Sequence, residues 1–242
     1  MNSKYEISTK ENREFLKASC EELLNFGHRF PSPNGGSYYL GDDGTPWKDR
    51  NRETWITCRM AHVYSLGLML GHEGSGELAD AALKGLKGEL HDEKNGGWYA
   101  GVTPEGDIVP NKQCYAHAFV ILAASSALTA GRPGAKELLE EALDVYAQHF
   151  WNEEEGLACD TWNTEFTVLD DYRGLNANMH TVEAFLAAGD VTGDKKYHIR
   201  AGRIIDHVIQ WAEDNSWRIP EHFTKEWVAD LDCNRDRPDD PF

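Results

Sequence analysis

The run Gly174-Leu175-Asn176-Ala177-Asn178-Met179-His180-Thr181-Val182-Glu183-Ala184-Phe185 places an amide and an imidazole where a helix begins. Asn176 and His180 stand four apart and share one helical face. That face can hydrogen-bond a hydroxylated ligand and exchange a proton, because histidine is the side chain that ordinarily titrates near neutral pH. Such chemistry suits a sugar, although a histidine satisfied by structural hydrogen bonds also fits the position. A second pair, Trp55 and Arg59, has the same spacing in Glu53-Thr54-Trp55-Ile56-Thr57-Cys58-Arg59-Met60. A guanidinium among Trp55, Met60, Val63 and Tyr64 calls for a ligand or an internal carboxylate, since burying it unpaired is costly. Lys112-Gln113-Cys114-Tyr115-Ala116-His117 supplies polar groups at a third helix start.

Three apolar stretches position these residues: Arg59 to Tyr64, Cys114 to Phe119 and His180 to Phe185. Each ends in a polar residue, a small or β-branched residue and an aromatic. Aligned on His62, His117 and Glu183, they recur at 55 and 66 residues, the length of a helix pair plus a loop excursion. Amphipathic helices are expected between them, over about Glu77 to Glu89, Ala135 to Tyr146 and Lys196 to Trp211. The connections Asn95 to Val109 and Glu155 to Tyr172 carry Gly and Pro turns between short apolar runs, and are expected to form β-hairpins on one rim of a cavity. Consecutive hairpins of this kind close into a double ring of helices. Six pairs at the mean interval of 60.5 would need roughly 360 residues, so a chain of 242 holds part of a ring. The stretch Asp230 to Phe242 reads as a polar loop without a capping helix, which predicts an uncovered apolar edge.

Composition narrows the ligand class. With 40% hydrophobic and 11% aromatic residues the chain folds around a real core. A net charge of −17 argues against nucleic acid and favours an uncharged or cationic small ligand. The five cysteines, Cys20, Cys58, Cys114, Cys159 and Cys233, are scattered without a C-x-x-C pair, which predicts reduced thiols and a cytoplasmic location. Neither a leader nor a membrane-spanning run is expected from Met1 to Glu14 or beyond.

The chain resembles the N-acylglucosamine 2-epimerase superfamily, and most of all its mannose isomerase and sulfoquinovose isomerase branch. The resemblance rests on Trp55-Ile56-Thr57-Cys58-Arg59-Met60 with His62-Val63-Tyr64-Ser65, on Gly96-Gly97-Trp98-Tyr99, and on Lys112-Gln113 with Tyr115 and His117. It continues through Tyr172-Arg173-Gly174, Asn176-Ala177-Asn178-Met179-His180 and Glu183-Ala184-Phe185 to Glu221-His222-Phe223. It implies an all-α (α/α)6 barrel, or toroid, of which residues 1–242 would be the N-terminal portion of one domain, about half to two-thirds of the ring. It also implies aldose-ketose isomerisation through a cis-enediol, with mannose and fructose as the substrate pair. His180 would assist proton transfer. Arg59, Trp55, Tyr115 and Asn176 would bind the sugar, with no metal or cofactor. Two further catalytic histidines of the family would lie beyond the last residue here. Self-association, or pairing with a complementing C-terminal half, is therefore expected.

Other readings compete. One is a 2-epimerase acting on N-acylglucosamine or another sugar. A second is a glycoside hydrolase or lyase with two opposed carboxylates, for which Asp160, Asp170, Asp171 and Glu183 are expected to lie unsuitably, on excursions or helix exteriors. The third is a non-catalytic half-barrel that binds a sugar or docks on a partner.

Overall fold

The computed structural model describes residues 3–233, so the terminal part of the polar stretch, 234–242, lies outside the described residues. Seven α-helices are found among them: α1 (Lys10–Gly27), α2 (Thr54–Met69), α3 (Ser75–Leu86), α4 (Cys114–Thr129), α5 (Ala135–His149), α6 (Leu175–Thr192) and α7 (Lys195–Asp214). Helix α4 packs between α2 and α6, forming an inner row, and α3, α5 and α7 cover α2, α4 and α6 from outside. The row follows from composition. Helix α4 runs Ala116 to Ala127 with every residue buried, as an all-round apolar helix must be, whereas the outer helices are amphipathic.

Inner helices pass to outer ones through short turns at 70–74, 130–134 and 193–194, and outer helices return through the long excursions 87–113 and 150–174. All the excursions therefore gather at the end where the inner helices begin. The resulting arc is part of an (α/α)6 barrel with short strands on one rim. The expected outer helices are present; only α3 ends earlier than expected, at Leu86 rather than Glu89.

The repeat has a different register from the one read off the sequence. Two-residue strands precede each inner helix at Arg52–Glu53, Lys112–Gln113 and Arg173–Gly174, spaced by 60 and 61 residues. They pair antiparallel with Gly101–Val102, Thr161–Trp162 and His222–Phe223, each in the following excursion. The mean of 60.5 stands, and so does the match of His62 with Glu183, but His117 does not belong to that set. Physically, burial repeats side-chain types loosely, whereas strand pairing fixes the backbone register. On that register His62 matches Leu122 and Glu183, and His117 matches Thr57 and Asn178.

Helices α2, α4 and α6 begin without side-chain caps. Their first N–H groups instead donate to excursion carbonyls: Thr54 to Ala100 at 3.0 Å, Cys114 to Asp160 at 2.8 Å and Leu175 to Glu221 at 2.9 Å. Main-chain contacts thus meet donors that a helix start otherwise leaves open. No helix among the described residues is long and apolar enough to cross a membrane. The five cysteines stand as thiols rather than as disulfides.

Candidate active site

Because the inner helices share one register, their first two turns present matched positions to the lumen. The second residue of each is Trp55, Tyr115 or Asn176, and one turn on stand Arg59, Phe119 and His180. The structure brings most of this set into contact. Arg59 donates from Nη2 to the Tyr115 hydroxyl at 3.1 Å. Its guanidinium lies 5.0 Å from the Trp55 ring centre and 4.8 Å from that of Phe119. Tyr115 meets His180 edge-on at 5.0 Å, and Phe119 lies 4.6 Å from the same imidazole. Asn176 is exposed, and shares with Tyr115 a cleft of about 260 Å³ that Gln113, Cys114, Asp160 and Thr161 complete.

Two expectations need correction. Arg59 is not buried, and it makes no ion pair with a carboxylate among the described residues. It stays partly in water, stacked between aromatic faces that attract a cation. Glu183 is not on a helix exterior away from the site: its Oε2 lies 3.0 Å from His180 Nδ1. One turn apart, the two form a carboxylate–imidazole pair that fixes the ring and leaves Nε2 without a partner among the described residues.

Sequence reasoning passed over three contributors. Phe119 carries no polar group and gave no signal until the register aligned it with Arg59 and His180. Glu53 accepts from Trp55 Nε1 at 2.6 Å and from the Tyr39 hydroxyl, so it holds the indole in place. Burial, reinforced by the Glu53 carboxylate, keeps the Tyr39 phenol well above its ordinary range. Asp160 was named only as an unsuitable carboxylate on an excursion. It is 9% exposed, and burial pushes it up to about 7 although the Gly174 N–H and the Arg173 charge oppose the shift.

His117, by contrast, is a structural group. Its Nε2 accepts from Trp98 N at 3.0 Å and its Nδ1 donates to the Gln113 carbonyl at 2.7 Å, which defines one neutral tautomer. At the matched positions Thr57 accepts from Ser37 N at 3.0 Å and Asn178 from Ala158 N at 2.8 Å. Gly97 allows this approach: its φ is +71°, and a Cβ there would stand 2.7 Å from His117 Nε2.

Comparison with known proteins shows the family and the fold. The profile of N-acylglucosamine 2-epimerase (GlcNAc 2-epimerase) matches residues 35–242. A D-mannose isomerase of Thermobifida fusca is 42% identical over 96% of this chain and 57% of its own length. One from Pseudomonas cannabina pv. alisalensis is 38% identical over 98% of this chain, again 57% of its own. The chain thus spans under two-thirds of the curated relatives it matches. A crystal structure of D-mannose isomerase superposes with a TM-score of 0.87 at 29% identity, over 95% of this chain and 60% of that one. Cellobiose 2-epimerase from Bacillus thermoamylovorans B4167 gives 0.80 at 22% identity, over 91% and 62%, a likeness of fold alone.

Proposed function

The chain belongs to the N-acylglucosamine 2-epimerase family, and from that premise we propose that it carries one wall of a sugar isomerase site, interconverting an aldose and a ketose, with mannose and fructose as the pair. Residues 1–242 then form a continuous portion of one (α/α)6 domain. The observation that carries the reading is the Arg59–Tyr115–His180 cluster, with His180 anchored through Nδ1 by Glu183. In this scheme Trp55 and Phe119 wall the sugar, and Asn176 and Tyr115 hydrogen-bond its hydroxyls. His180 Nε2 removes the C2 proton of the open-chain aldose to give a cis-enediol and returns it to C1. The proton of O2 moves to O1 in the same conversion, so no atom is gained or lost. Arg59 and Tyr115 stabilise the oxygen on which negative charge develops.

A 2-epimerase would share this wall but return the proton to the opposite face of C2, and the name of the family profile supports keeping that second reading. Assays in chelator with mannose, fructose, glucose and N-acetylglucosamine separate the two by product. In a protein whose ring is completed by the remaining part of a relative, His180→Ala is expected to lower turnover by ~100-fold or more while leaving the melting temperature nearly unchanged. Arg59→Ala should weaken substrate binding as well as turnover. Undiminished activity of the His180→Ala protein would remove the role given to this imidazole.

A further inference from the structure

The repeat does not require a carboxyl at the position of Asp160. On the 60- and 61-residue register it matches Ala100 and Glu221. What the three share is a main-chain carbonyl that receives the first N–H of an inner helix. Alanine performs that task at position 100, so the architecture does not call for a carboxyl at 160. Glu221 has its own acceptor duty, its Oε1 taking the Asn176 N–H at 3.1 Å. Asp160 Oδ2 accepts from Gly174 N at 2.8 Å, which pins the carboxyl between the starts of α4 and α6.

The second oxygen, Oδ1, takes no hydrogen bond among the described residues. The enclosed side-chain atoms without a partner there are Asn111 Oδ1 and Ser125 Oγ, so Asp160 Oδ1 is not sealed off, and Asp160 is one of the residues that line the cleft. Gln113 and Asn176, which carry amides, and Tyr115 and Thr161, which carry hydroxyls, line the same cleft. A rigid carboxyl beside two amides matches adjacent hydroxyls, which present donors and acceptors side by side.

We propose that Asp160 is a ligand-binding residue of this cleft, its Oδ1 receiving a hydroxyl of the sugar while Asn176 and Gln113 bond the neighbouring one. The assignment rests on the sugar-isomerase reading. It adds a contact on the rim side of the site, away from the Arg59–His180 cluster, where a residue selects the hydroxyl pattern rather than moving the proton. Burial of the carboxyl, already visible in its raised titration, gives the bond to a ligand hydroxyl more weight than it would have in water.

The test uses the whole 242-residue protein and the unreactive polyol D-mannitol. Carbon-detected spectra follow the side-chain carboxyl of Asp160 and proton spectra the indole of Trp55 as polyol is added. Both signals are expected to move along one binding curve. Asp160→Asn keeps an acceptor for Gly174 N, so it should retain the fold and lose roughly tenfold or more in affinity. Asp107→Asn, on the exposed 103–107 turn, should bind as the parent does. Movement of Trp55 without Asp160, with Asp160→Asn binding normally, overturns this assignment and leaves the sugar-site reading standing. No movement of either signal in near-molar polyol overturns both. The carboxyl signal of the unmodified protein gives the answer even if the variant misfolds.

Discussion

His117 and His180 are separated by what reaches each ring nitrogen. Both nitrogens of His117 are committed to main-chain groups, and burial holds the imidazole down to about 3. A histidine whose folded value lies below its unfolded one contributes stability above pH ~6.5, and that contribution is lost as pH falls from there toward the folded value. Thermal melts of the parent should therefore weaken progressively below pH 6.5. His117→Ala should cost about 1–3 kcal/mol by orphaning the Trp98 N–H, and should flatten that acid slope. A variant that melts like the parent at every pH would show that the ring carries no such load. Residue types alone could not separate the two histidines: each stands near a helix start, within a similar apolar stretch. Asn176, His180, Trp55 and Arg59 were legible because polar groups at four-residue spacing share a face whatever the surrounding fold. Phe119 and Asp160 were not, since one has no polar atom and the other lies on an excursion that only main-chain pairing sets beside the inner helices.

At the level of the elements, the rim is held by a basic residue that recurs before each inner helix, at Arg52, Lys112 and Arg173, all buried. Each finds a different partner. Arg52 bonds Glu89 at 2.6 Å, and Arg173 bonds the carbonyls of Asp170 and Tyr172. Lys112 donates to Asp92 at 2.9 Å and to the Gly96 carbonyl. Burial alone would raise Asp92, but Lys112 and Asn95 hold it below the usual carboxylate range. Lys112→Met strands that carboxylate in the interior, and by the behaviour of buried pairs should cost about 3–5 kcal/mol in chemical denaturation. Adding Asp92→Asn should recover part of the loss, because the amide oxygen can still accept from Lys94 N and Asn95 N as the carboxylate does. Equal stability of the single and double variants would show that the charge pair is not what holds this joint. The helices and the rim hairpins could be read from periodicity and turn chemistry, but their register could not. It resides in main-chain pairing, which the buried basic residues accompany without announcing it.

Across the whole molecule, the arc has two margins, and both show apolar side chains. On the α2 side Val63, Leu66, Met69 and Leu70 are exposed; on the α6 and α7 side Met179, Leu186, Ile205 and Ile209 are. Helix α4, flanked by inner neighbours on both sides, exposes no large apolar residue. Lateral contact is therefore what covers these faces in the middle of the row, and the same kind of contact remains open at its ends. Net charge of −17 opposes association, but salt screens it, whereas the exposed apolar side chains of the margins keep their preference for contact. Sedimentation of the 242-residue chain should accordingly show self-association that grows with salt, accompanied by binding of a hydrophobic dye. A salt-independent monomer that ignores the dye would contradict this. Covering the margins should also bear on activity, since His180 and Arg59 belong to one wall and a proton moved between two carbons needs groups around the whole sugar. Adding the remaining part of the Thermobifida fusca relative as a separate polypeptide is expected to suppress association and to raise mannose–fructose turnover from little or none. The same mixture made with His180→Ala should suppress association equally and stay inactive, which separates closing the ring from supplying the proton-transfer group.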